Sequence, residues 1–207
     1  MTKHIFLAVV LVAGASVANA QGPAFGVKGG LNISSLAVDN ADEEKTRLGA
    51  NAGIFLRTMP DEPLGLQVEL LYSAKGANAT YSGFFGLLDQ NVDFNLNYLE
   101  LPVLVSFRAA GIVDFQLGGY AGYLLNARVS TSGDLGSASD ELDKDNFRSV
   151  DFGIAGGVGF NAGPAQIGLR YHHGLTKVAD SDAANTVLGD ATNRCLQAYV
   201  ALGIPGR

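Results

Sequence analysis

With 207 residues, the chain has room for one domain and an export signal. Its 14 basic residues against 20 acidic ones give a formal charge of −6, so it lacks the basic footprint of a nucleic-acid binder, and the single Cys195 excludes an intrachain disulfide. The 27 glycines and six prolines follow no collagen period and favour strands and turns over helices.

The first predicted element is a secretory signal over residues 1–20. Lys3 and His4 precede an apolar run from Ile5 to Ala13, and Ala18-Asn19-Ala20 supplies a small-x-small cleavage site before Gln21. The run is too short for a spanning helix, which needs roughly 20 apolar residues. The mature chain, residues 21–207, would carry 13 basic and 20 acidic residues, net −7. It has no helix-length apolar stretch. In a membrane it must therefore be a closed barrel, because lipid offers no partners to unpaired backbone groups.

Eight runs of period-two alternation follow. The first begins Phe25-Gly26-Val27-Lys28, with Phe25, Val27, Leu31 and Ile33 on one face and Lys28, Asn32 and Ser34 on the other. The second spans Arg47 to Arg57 and the third Leu64 to Lys75, where Gln67, Glu69, Ser73 and Lys75 oppose Leu66, Val68, Leu70 and Tyr72. In the fourth, Val92 to Arg108, the apolar set moves from Phe94, Leu96 and Tyr98 to Leu99, Leu101, Val103, Val105 and Phe107. That change of phase predicts a β-bulge within this strand, with Pro102 at a local break in the ladder. The fifth run is Ile112 to Val129, the sixth Arg148 to Phe160, the seventh Ala165 to Thr176 and the eighth Arg194 to Ile204.

The connections alternate in length. Residues 36–46, 76–91, 130–147 and 177–193 are long; Thr58–Pro63, Ala109–Gly111 and Asn161–Pro164 are short. Short periplasmic turns and long extracellular loops mark outer-membrane barrels. This predicts an all-β, eight-stranded, antiparallel, up-and-down transmembrane barrel with both termini periplasmic. Thirteen of the 20 acids fall in the long connections and read as solvated loops. The stretch Asp140 to Asn146 lacks the glycine and final glutamate of an EF-hand calcium loop. The loop containing Tyr81, Phe84, Phe85, Leu87 and Leu88 is apolar, suited to packing over the barrel mouth or against a partner.

Four segments, Phe25–Asn32, Tyr98-Leu99-Glu100-Leu101-Pro102, Asp151–Gly159 and Arg170-Tyr171-His172-His173-Gly174-Leu175, resemble the PorT-type outer-membrane β-barrel family common in Bacteroidetes. The resemblance covers essentially the whole mature chain. It implies an eight-stranded outer-membrane barrel and brings no established catalytic residues or cofactor. The implied partners are outer-membrane lipid, the barrel assembly machinery and an extracellular ligand at the long loops. The ending Gly203-Ile204-Pro205-Gly206-Arg207 departs from the terminal aromatic that many such barrels use in assembly.

An eight-stranded barrel is just wide enough for its interior to be filled by side chains. The inward candidates are Lys28, Arg57, Glu69, Glu100, Arg128, Asp151 and Arg170. Mixed signs predict a structural ion-pair network and no open pore. Glu100→Ala or Arg170→Ala should then cost roughly 3–5 kcal/mol by stranding a buried partner. Two alternatives stay open. One is a barrel enzyme acting on lipid A or peptides, for which only one of the adjacent His172 and His173 can face inward. The other is a soluble lipocalin-like binder, with the apolar face turned inside. No metal site is expected, and Cys195 reads as a packed, inert thiol.

Overall fold

The computed structural model describes residues 24–37, 46–59, 62–83, 88–133, 138–142, 147–178 and 191–204. The predicted signal, the apolar tip 84–87 and most of the acidic loop segments lie outside them.

Alternating sequence becomes strand throughout. The strands are β1 (Ala24–Ala37), β2 (Arg47–Arg57), β3 (Leu64–Gly83), β4 (Leu88–Ala109), β5 (Val113–Gly133), β6 (Ala138–Leu142), β7 (Val150–Ala162), β8 (Ala165–Lys177) and β9 (Thr192–Ile204). Each long strand pairs antiparallel with its chain neighbour, and β1 pairs with β9, so the sheet closes through eight strands. The short β6 is an addition the sequence did not announce. It pairs with Ala127–Thr131 of β5, beyond the Val113–Tyr123 stretch that β7 occupies.

Tight turns join the strands at one end. Ile112 N–H donates to the Ala109 carbonyl at 3.2 Å, with Ala110 at φ 51° and Gly111 at φ 73°, the pattern of a type I′ hairpin. Gly163, at φ 60°, opens the turn between Ala162 and Ala165. At the other end, the expected connections 76–91 and 130–147 are partly strand. β3 and β4 pair out to Gly83 and Leu88, and β5 runs to Gly133. The alternation used to delimit strands faded there, but the backbone pairing did not.

The faces settle inside from outside. Val27, Leu31, Ile54, Leu70, Leu99, Val105, Leu117, Ile154, Leu169 and Val200 are each at least 40% exposed, whereas Lys28, Glu69, Lys75, Glu100 and Arg170 are 3% or less. A soluble binder needs the reverse, so the lipocalin-like alternative is overturned. Phe25, Phe107, Phe115 and Phe160 stand outward near the short turns; Tyr72, Tyr123, Phe152 and Tyr171 stand outward farther up. Phe115 and Tyr123 are eight residues apart, about 26 Å along a strand. Two such girdles bound the apolar band of an outer-membrane barrel.

The bulge is not where the sequence placed it. In β4 every even residue from Leu96 to Ser106 is buried, so the strand keeps one phase. The register steps from Asn97↔Asn126 to Tyr98↔Leu124, which leaves Leu125 of β5 as the extra residue. The error came from taking apolar residues as lipid-facing. Leu96 and Tyr98 point inward and pack with Leu36, Leu124, Ala127, Phe147, Val178 and Ala191 in an apolar cluster that fills the barrel near the long-loop end. Pro102 does sit at a break: the β3–β4 pairing skips from Val68↔Val103 to Leu71↔Glu100.

Candidate functional site: the polar interior

Below the apolar cluster the barrel is filled by polar side chains in three tiers. They project inward because each occupies the alternate phase to a lipid-facing residue.

The tier nearest the short turns centres on Asp114. Its carboxylate meets Arg57 Nη1 at 2.8 Å and Arg108 Nε at 2.8 Å, and accepts from Gln166 Nε2 at 2.8 Å. Arg57 also donates from Nε and Nη2 to Gln67 Oε1, at 2.8 and 2.6 Å. The middle tier centres on Glu69. Its Oε2 accepts from Lys28 Nζ at 2.8 Å and from Arg170 Nη1 at 2.7 Å, and Gln67 Nε2 donates to its Oε1, which joins the two tiers. Arg170 reaches onward to Gln116 Oε1, and Tyr199 donates to Gln116 and Gln166 at 3.2 and 3.0 Å. The Tyr199 ring also lies 4.1 Å from Lys28 Nζ, within cation–π range.

The third tier pairs Lys75 with Glu100 and sets Lys75 4.0 Å from Asp151. Asp151 accepts from Thr176 Oγ1 at 2.7 Å, from Tyr120 at 3.1 Å and from Asn193 Nδ2 at 3.1 Å. The Lys75 ammonium also faces the Tyr120 ring at 4.6 Å. On the β1–β3 wall, Asn51 Nδ2 donates to Asn32 Oδ1 at 2.7 Å, and Asn32 Nδ2 to Ser73 Oγ at 3.0 Å. Packing against the wall is close at two glycines. A Cβ on Gly153 would stand 2.7 Å from Tyr120 Cζ, and one on Gly26 would stand 2.6 Å from the Phe55 ring.

The structure thus brings Lys28, Glu69 and Arg170 together and gives each of Arg57, Glu100 and Asp151 a charged neighbour, with Asp151 4.0 Å from the Lys75 ammonium. It does not bring in Arg128, which is exposed. Counting alternate residues from Asp114 puts Arg128 inside; the extra Leu125 turns it out. The tiers also rest on Lys75, Arg108, Asp114, Gln116 and Gln166, which are not among the seven residues expected in the network although alternation puts Lys75 on the polar face of its strand. Their signal was the phase they share with neighbours: Lys75 with Glu69 in β3, and Asp114 with Gln116 in β5.

The two histidines part as adjacent strand residues must. His172 is buried, 4.9 Å from the Tyr120 ring, with Nδ1 3.9 Å from Glu100 Oε2. His173 lies on the outer wall, its ring 6.3 Å from that of Tyr171. Cys195 is buried opposite His172 on β9. Among the described residues, no three His, Cys, Asp or Glu side chains are grouped to hold a metal ion. Chemically, this interior cross-braces the wall with charge-assisted hydrogen bonds.

Among solved structures, the chain is similar to Ail, the attachment invasion locus protein of Yersinia pestis. The alignment covers 89% of this chain and 100% of that one, at 14% identity and a TM-score of 0.47. It is similar also to Neisserial surface protein A, over 88% and 99% of the two chains, at 17% identity and a TM-score of 0.49. No curated protein matches the sequence. The sequence matches the outer membrane protein beta-barrel domain over residues 19–180, which is most of its length, and the chain therefore belongs to that outer-membrane β-barrel family.

Proposed function

We propose that this protein is a non-enzymatic outer-membrane barrel with a structural or surface-interaction role, of the PorT type, exported by the signal at residues 1–20. Its working surface is the long-loop end, where an extracellular ligand would bind. Membrane lipid surrounds the apolar wall, and the barrel assembly machinery inserts it. Both ends of the described barrel, Ala24 and Ile204, lie beside the short turns, which supports periplasmic termini.

The observation that carries the reading is the filled interior. Three tiers of mutually paired polar groups lie beneath an apolar cluster, and a barrel packed in this way braces its wall and leaves no water-filled path. The interior network thus has a structural role. The test is electrical. Purified protein in a planar bilayer should show no steady ion conductance, and intact barrel should resist unfolding in SDS until boiled. Stable conductance steps from heat-resistant barrel would replace the structural reading with a channel.

A further inference from the structure

Between the Glu69 tier and the apolar cluster, several buried polar atoms have no hydrogen-bond partner among the described residues. His172 and Gln197 are fully buried, and neither the two ring nitrogens of one nor the two amide atoms of the other make a hydrogen bond. Asn51 Oδ1 and Arg170 Nε are in the same position. Lys75 and Glu100 are ion-paired through Glu100 Oε1, and Glu100 Oε2 is left without a hydrogen bond. These groups are neighbours. Gln197 is paired across the sheet with Arg170 on one side and Asn32 on the other, and Asn32 holds Asn51. His172 lies one inward step beyond Arg170 on β8 and faces Glu100.

Buried polar groups in folded proteins bond to protein or to ordered water, because leaving them bare forfeits their solvation. The atoms around this space specify what would answer them. Arg170 Nε and the Gln197 amide nitrogen need acceptors; Gln197 Oε1, Asn51 Oδ1 and Glu100 Oε2 need donors; the His172 ring needs a partner at each nitrogen. A cation would meet Lys75 and Arg170, and an anion would meet Glu100 and Asp151. The occupant must be neutral, small, and both donor and acceptor. The apolar cluster lies on one side of these groups and the Glu69 tier on the other.

We propose that the central third of the barrel binds a small group of ordered, slowly exchanging water molecules that bridge His172, Gln197, Asn51 and Glu100. The water is a structural component of the interior, trapped when the barrel closes.

Two measurements test this. His4→Gln with His173→Gln leaves His172 as the sole histidine. In lipid nanodiscs, water-edited NMR of this variant, labelled at histidine, should show magnetisation passing from water to the His172 ring. A ring with no water contact would overturn the proposal. Separately, His172→Leu with Gln197→Leu should lower the temperature at which the unboiled gel band is lost, since bridged polar groups would be replaced by groups that cannot bind water. An unchanged or raised temperature would overturn it, because removing truly bare polar atoms is neutral or stabilising. If that double variant fails to fold, the NMR result on the His172-only protein decides.

Discussion

Glu69 accepts from two fully buried cations, Lys28 and Arg170, and from Gln67. Glu69→Ala would leave two buried cations without their common anion and should destabilise the barrel by about 3–5 kcal/mol. Denaturant titration in detergent micelles, read by circular dichroism, measures it. Arg128→Ala is the matched control: its side chain is exposed, where solvent screens any pairing, and the change should stay within about 1 kcal/mol. A second residue-scale expectation concerns Ala110, which holds φ 51° without the tolerance of asparagine or glycine for that region. Ala110→Asn creates the favoured Asn-Gly pair of a type I′ turn and should add about 0.5–1 kcal/mol. The same titration would show its midpoint moving to higher denaturant.

At the scale of elements, Leu125 makes the sharpest prediction. It is the one residue of β5 without a place in the β4 register. Its deletion would leave a regular ladder in which Leu124 and Ala127 still face inward and Arg128 still faces out. Deleting Gly119, which is paired on both sides, would turn over every side chain beyond it. The first variant should keep its heat-dependent gel shift and the second should lose it. The same residue marks where the sequence stopped being readable. The existence and order of the eight wall strands followed from period two, but the lipid face did not: alternation fits Val27 and Leu31 turned either way, and only the alternating loop lengths favoured hydrocarbon outside. Arg128 and the phase of β4 did not follow. Parity counts survive only until an unpaired residue intervenes, and an apolar side chain such as Leu96 looks the same whether it faces lipid or an apolar interior. The pairs themselves, such as Arg57 with Asp114, join residues far apart in sequence and depend on strand stagger, which alternation does not encode.

For the molecule as a whole, the proposed orientation places the β3–β4 hairpin outside the cell. An epitope inserted after Gly83 should bind antibody on intact cells, and one placed at Ala110 should do so only after permeabilisation. The opposite result would invert the barrel. Whichever way that resolves, the rim at this end is not level. β4 has 22 residues, about 70 Å along the strand, while β8 and β9 have 13, about 43 Å. Roughly nine to eleven tilted residues cross the hydrocarbon. One side of the wall, formed by β3, β4 and β5, therefore stands well above the other. The barrel is less a cup than a scoop with a raised back, and a large particle approaching along the membrane normal would reach the β3–β4 edge before the opposite lip. Shortening that hairpin would lower the back of the scoop while leaving every interior tier below it in place.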